Sequence, residues 1–147
     1  MAYDVYKIAN SLLRLADDQD DPMTNMKLQK MLYYEQGYHL VYFGTPLFDE
    51  EIEAWLYGPV VPSVYNKYKK HGHRQIDYDK RIPEVDFQDD KEYAMYIKVY
   101  NVFSIYSAIG LMNMTHEEDP WKNADVCKNE VIKKSTMREY FKTRMRR

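Results

Sequence analysis

The chain is poor in the residues that usually announce chemistry. It has one cysteine, Cys127, so no internal disulfide can form and a disulfide scaffold is excluded. A lone thiol fits a reducing, cytoplasmic setting. The five glycines stand singly and none builds a phosphate-cradling G-x-x-x-x-G-K-[ST] loop. No G-x-S-x-G elbow and no H-E-x-x-H pair occurs. No apolar run approaches the roughly 18–20 residues of a membrane span, and mean hydropathy is -0.70. The opening residues, Met-Ala-Tyr-Asp-Val-Tyr-Lys, hold no apolar leader core, so no secretory signal and no membrane association are expected. Neither charge dominates: the formal net charge is -2. A general polyanion binder carries a basic excess, so nucleic acid is not an expected partner.

What is present is tyrosine. The 147 residues include 15 Tyr, against 5 Phe and 2 Trp. A phenol ring joins an apolar body to a polar tip, which suits surfaces that become buried on association. The length is that of one ordinary domain, and no linker divides it, so a single domain over residues 1–147 is expected.

The apolar spacing predicts a mostly α (α+β) fold: a compact helical domain with a small two-stranded β element between helices 2 and 4. Val5, Ile8, Leu12 and Leu15 form one stripe of a first helix over about residues 3–17. The acidic run from Asp17 to Asp21 and Pro22 end it and read as a solvated linker. Thr24 is an N-cap for a second helix to about Phe43, with Gly44 at its C′ position. Ile52, Ala54 and Leu56 alternate, which argues a short strand. Pro59 lacks the N–H of a central ladder. Pro62 opens a third helix that runs to about His71 and ends at Gly72. Gln75 to Tyr78 is the expected second strand. Asp89 or Asp90 caps a long fourth helix through Tyr106, and Gly110 ends it or permits close packing. Leu111 to Met114 continue as a short helix, Pro120 enters another helical turn, and Ser135 caps a last helix. Arg144, Arg146 and Arg147 then complement the negative end of that helix.

Candidate chemistry is thin. His71 and His73 form an H-x-H pair, but a closed zinc site wants four ligands, so a solvated helix end explains them and no metal is expected. Cys127 has no basic environment to make it a thiolate and reads as a small buried filler. Glu51 with Glu53, and Glu117 with Glu118, read as solvated carboxylates. Lys67, Lys69 and Lys70 interleave with Tyr65 and Tyr68, a pattern that would suit base stacking, yet a solvated helix face with dipole compensation accounts for it. No cofactor and no enzymatic activity are expected.

Three stretches go beyond generic pattern: Thr24-Asn-Met-Lys-Leu-Gln-Lys-Met-Leu-Tyr-Tyr-Glu-Gln-Gly37, then Pro46-Leu-Phe-Asp-Glu-Glu-Ile-Glu-Ala-Trp-Leu-Tyr-Gly-Pro-Val-Val-Pro-Ser-Val-Tyr65, and Thr115-His-Glu-Glu-Asp-Pro-Trp121. In this order they closely resemble the Panacea domain family, the SocA-like antitoxins, also called GepA-like phage-associated proteins. The resemblance runs from the first helix to the Tyr140-Phe141 pair. It implies an antitoxin of a toxin–antitoxin system, of the kind found in bacteria, plasmids and prophages, that neutralises a cognate toxin by direct protein contact. The alternatives it leaves open are a proteolytic adaptor delivering the toxin to a ClpXP-type protease and a small nucleic-acid-binding or phage accessory regulator. A homodimer is left open as well. Many relatives carry an added DNA-binding region, for which this chain shows no second domain.

The residues expected to meet a partner follow from the tyrosines and the motifs together. Tyr33, Tyr34, Tyr38, Tyr57, Tyr65 and Tyr68 are the expected aromatic anchors, on the second helix and on the segment after the strand. Lys27, Lys30 and Gln36 are the expected polar rim. Trp55, Val60, His116 and Trp121 complete the set, with a core role as the other reading of Trp55. Gly37, inside a helix where glycine costs about 1 kcal/mol, is expected to admit a close neighbour such as Trp55 or Trp121. Gly58-Pro59 fixes a sharp exit from the strand.

Overall fold

Thr24 and Gly44 bound the element on which the fold is built. The computed structural model describes residues 2–145; Arg146 and Arg147 lie outside them. The Thr24 hydroxyl accepts the Lys27 N–H at 3.3 Å, and Gly44 closes the helix at φ 72°, where only glycine sits without strain. Between them runs helix α2, Asn25–Phe43. Its first three turns are buried on every face, which makes it the central element. Helix α1, Val5–Asp18, lays Val5, Ile8, Leu12 and Ala16 against it; its cap is Asp4, which accepts the Tyr6 N–H.

The chain then forms strands β1, Ile52–Trp55, and β2, Gly58–Val60. They pair as an antiparallel hairpin in which Trp55 faces Gly58, leaving Leu56 and Tyr57 as a two-residue turn. Strand β3, Val131–Ile132, joins the other side of β1, so the order is β2-β1-β3. This corrects the expected two-stranded element. Its second strand was placed at Gln75 to Tyr78, where the chain instead makes one bond, Ile76 N–H to Met23 O, and buries the Ile76 side chain. Proline bars Pro59 from a central ladder, but β2 is an edge strand and tolerates it.

Helix α3, Pro62–Tyr68, starts on its proline and tightens into a 3₁₀ turn, Lys69–His71, before Gly72. Helix α4, Asp90–Phe103, is capped by Asp89 and stops three residues short of Tyr106. Ser107 caps helix α5, Ala108–His116, by accepting the Gly110 N–H at 2.9 Å. Gly110 therefore lies in the first turn of α5 and ends nothing. Helix α6, Asp119–Lys122, is the turn at Pro120. Helix α7, Lys134–Thr143, has Lys133 at its N-cap position, with Ser135 already inside its first turn and making no cap. Helices α1, α3, α4, α5 and α7 and strand β2 all pack against α2.

Gly37 shows why that packing is close. A Cβ there would stand 2.3 Å from the ring of Phe141 on α7. The neighbour that glycine admits is thus Phe141, neither Trp55 nor Trp121. Around it Tyr33, Tyr34 and Tyr38 form an aromatic cluster with Phe103 and Phe141; the Tyr34 and Phe103 rings stack at 3.9 Å. Cys127, read as a buried filler, is exposed in a 3₁₀ turn, Val126–Lys128.

Candidate functional site

A cleft of about 580 Å³ opens between the N-terminal half of α2, the β1–β2 hairpin and α3. Each wall has a local cause. The Asn25 amide donates to Tyr65 O at 3.2 Å, and Gln29 links the Asn25 side chain to the Val61 N–H. These two α2 side chains fasten the hairpin exit and α3 at a fixed distance. Trp55 and Tyr65 meet edge to face at 5.0 Å and form one aromatic wall. The Trp55 indole N–H is taken by Glu53 at 2.9 Å, and Trp55 O accepts the Trp121 indole N–H at 2.7 Å. Tyr57, Leu56 and Lys69 form the rim, and Val60 lies among the lining side chains.

Lys30 forms the floor. It is 1% exposed. Its ammonium donates to Met26 O of its own helix at 3.2 Å, and among the described residues no carboxylate stands within ion-pairing distance. Burial pulls its pKa down from 10.5 to about 8. Gly58 crosses directly above. A Cβ at Gly58 would lie 3.1 Å from Lys30 Cε and 3.2 Å from Thr115 Oγ1, and the backbone there has φ 125°. The conformation therefore requires glycine at this hairpin position, and the space above it is tight.

The His116–Trp121 motif sits behind this floor. The two rings stack at 3.9 Å. Burial, opposed by local hydrogen bonding and assisted by the Lys30 charge, pushes the His116 pKa down. Glu118, grouped above with the solvated carboxylates, is folded inward. It accepts the hydroxyls of Tyr33 and Tyr34, both at 2.9 Å, and burial raises its pKa to about 7 against the lowering effect of those bonds.

The residues expected to contact a partner thus separate. Lys30, Trp55, Tyr57, Val60 and Tyr65 come together at the cleft. Tyr33 and Tyr34 are at most 1% exposed and offer no ring face to a partner; their hydroxyls are consumed by Glu118. Tyr68 is buried in the core. Lys27 is buried, pairs with Asp21 at 3.4 Å and donates to Ser104 O at 2.7 Å, so it forms no rim. Gln36 is fully buried, accepting the Leu47 N–H and donating to Phe48 O, which pins the segment ahead of β1. Tyr38 faces a different, shallower depression with Met95, Val102 and Arg144. His116 and Trp121 support the cleft from behind.

Leu56 was missed as a partner-contact candidate. It is 64% exposed, more than Tyr57 at 59%. Alternation had placed it on the apolar side of β1, whereas the strand ends at Trp55 and Leu56 projects from the turn. Asn25 and Gln29 were also missed, marked only by their place in the first stretch quoted above, and Lys69 was read as part of a solvated helix face. Among the described residues no group of three or more His, Cys, Asp and Glu side chains is placed to hold a metal ion. The chemistry on offer is recognition: an isolated cation at the bottom, aromatic edges at the side and exposed apolar side chains at the lip.

Comparison with known proteins bears on the same residues. The family model described as antitoxin SocA-like, Panacea domain, matches residues 28–122, which hold Lys30, the hairpin, α3 and the His116–Trp121 motif. Antitoxin SocA of Caulobacter vibrioides is 42% identical over 73 residues, which is 50% of this chain and 39% of that protein. The match therefore spans well under half of that relative's length. No solved structure matches.

Proposed function

The chain belongs to the SocA-like Panacea domain family, and from that premise we propose that it is an antitoxin that neutralises a cognate toxin by binding it directly, with the cleft and the hairpin turn as the contact. The supporting observation is the turn itself. Leu56 and Tyr57 stand 64% and 59% exposed at the mouth of an aromatic-walled cleft. Large apolar side chains held rigidly beside a concavity are what an association hot spot is made of. The hairpin is held by the Trp121 indole on Trp55 O and by Gln29 on the Val61 N–H, with Gly58 packed closely over Lys30, so these side chains are presented without an ordering cost at binding.

In this reading residues 1–147 act as one Panacea domain, in the cytoplasm, by stoichiometric occupancy without turnover. No helix among the described residues is long and apolar enough to cross a membrane. The toxin is the product of a neighbouring reading frame. Purified antitoxin suppresses the purified toxin with no protease present; suppression that appears only when a ClpXP-type protease is added assigns the chain to adaptor-mediated degradation instead.

The surface is tested with Leu56→Asp and Tyr57→Ala. Both side chains are exposed, so each variant keeps parental stability within about 0.5 kcal/mol. Each is expected to weaken toxin binding by about 2 kcal/mol or more, roughly thirtyfold, in a titration with purified toxin. Parental affinity in both variants places the contact elsewhere.

A further inference from the structure

Among the described residues Lys30 is a buried charge without a counter-ion. A lysine ammonium has three donors, and only one is used, on the Met26 carbonyl. Neighbouring groups do not complete it. The Thr115 hydroxyl close by donates to Met112 O, and the backbone above is that of Gly58. Around the cleft the basic lining side chains are Lys30, Lys69 and His73, and no Asp or Glu lines it. Most other buried polar groups of α2 are tied down: Asn25 and Gln29 to the hairpin exit and α3, Gln36 to Leu47 and Phe48, His39 to Thr45 O and Glu92; Glu35 keeps an unpartnered oxygen but does not line the cleft. Of the buried polar α2 residues that line the cleft, Asn25, Gln29 and Lys30, only Lys30 carries a charge and reaches no group beyond its own helix.

We propose that the cleft receives an acidic side chain of the toxin, an Asp or Glu next to an apolar residue, whose carboxylate pairs with the Lys30 ammonium while the apolar neighbour covers Trp55, Tyr57 and Tyr65. This rests on the proposed toxin contact and deepens it. The charge pattern selects an anion. The exposed Leu56 and Tyr57 beyond the cleft select a polypeptide, because a small free acid would fill the floor and leave that apolar lip in water. A phosphate backbone is disfavoured by the net charge of -2. A carboxylate brought into this site is desolvated together with its partner, so the pair contributes specificity: an uncharged isostere leaves the ammonium buried and unpaired.

The test has two arms. In the first, the full chain is titrated with acetyl-Leu-Glu-Leu-amide and with its neutral counterpart acetyl-Leu-Gln-Leu-amide, and the Gly58 amide and Trp55 indole are followed by proton–nitrogen NMR. The acidic peptide is expected to shift both signals and to bind roughly tenfold tighter than the neutral one, and Lys30→Met is expected to erase that preference. Equal binding of the two peptides, no shift with either, or a preference that survives in Lys30→Met overturns the proposal. Thermal unfolding confirms that the variant is folded. In the second arm the toxin is the product of the adjacent reading frame. Loss of roughly tenfold or more in its affinity on Lys30→Met supports the proposal. Unchanged affinity overturns the proposal and leaves the antitoxin reading standing. A toxin that fails to bind the parent defeats the antitoxin reading, and the peptide arm still decides what the cleft accepts.

Discussion

Replacing Lys30 by methionine should make the protein more stable. The folded chain holds the ammonium at a pKa of about 8, against an ordinary 10.5, because burial penalises the charged form and no anion offsets it. At 1.36 kcal/mol per pH unit, that drop corresponds to about 3 kcal/mol of stability forgone. The sign follows from proton counting. Between pH 8 and 10.5 the unfolded chain binds more protons than the folded one, so stability rises with pH across that window. Below it both states are protonated and the full penalty applies. Methionine keeps an apolar stem of similar length and gives up one hydrogen bond, worth about 1 kcal/mol. The Met26 carbonyl that loses it keeps its helical partner. The net expectation is a gain of about 2 kcal/mol near neutral pH, or roughly 4–8 °C in Tm for a chain of this size. Urea unfolding of parent and variant, followed by circular dichroism at about pH 7 and about pH 10, measures both the gain and its pH dependence. The advantage should shrink as the parent's ammonium loses its proton. A variant less stable than the parent at about pH 7, or an advantage that does not change by about pH 10, refutes the unpaired, desolvated cation.

Glu118 carries the opposite slope. Its pKa rises from 4.5 to about 7 on folding, so the folded chain keeps a proton that the unfolded chain has released, and parental stability falls as pH rises through that range. Glu118→Gln should remove the slope and gain about 3 kcal/mol on the parent between about pH 5 and about pH 8, read by urea unfolding at both. Gly37→Ala, which in an open helix would stabilise by about 1 kcal/mol, should instead destabilise by about 2 kcal/mol or more, because its Cβ meets the Phe141 ring at 2.3 Å. A double-mutant cycle with Phe141→Ala should show the two positions strongly coupled; additive effects mean α7 does not pack on Gly37. Gly58→Ala should cost about 2 kcal/mol by thermal unfolding, since φ 125° and the Lys30 and Thr115 contacts both oppose a side chain.

Helix α2 was legible to the residue because both of its ends carry their chemistry in the sequence: a threonine whose hydroxyl meets the third N–H, and a glycine at positive φ. The hairpin was not, because its second strand is three residues long and contains Pro59, and only its edge position makes that acceptable. Strand β3, with two residues, offers no period to read. The tyrosines show a different limit. Composition marks Tyr33 and Tyr57 alike as amphipathic rings, yet one is fully buried and the other 59% exposed. The deciding feature is Glu118, 85 positions away, which accepts the Tyr33 hydroxyl and lets the ring go into the core. Pairing over such a span leaves no periodic trace. The cleft was half legible: the hairpin motif located it, but Lys30 was expected at a solvated rim, and only packing reveals that it is the floor.

Helix α2, buried over its first three turns, still carries many polar residues there, and their bonds explain why. A central helix surrounded by loops and short elements must fix their backbones, and side-chain amides do this with two bonds each. Gln29 holds the Val61 N–H, and Gln36 holds the Leu47 N–H and Phe48 O. Replacing either by an apolar residue would orphan backbone groups that water cannot reach, so these positions serve the fold. Glu35 is also buried without a full set of partners, and burial pushes its carboxyl well above the usual carboxylate range, which favours the neutral acid. It sheds its charge by taking a proton. Lys30 at a pKa of about 8 cannot shed enough of its own, and it holds no backbone outside its own helix. A charge that weakens the fold and pairs with no anion is explained by what enters the cleft above it. A variant that gains stability and loses its partner is the pattern expected of a binding residue, and Lys30→Met is placed to show both in one protein.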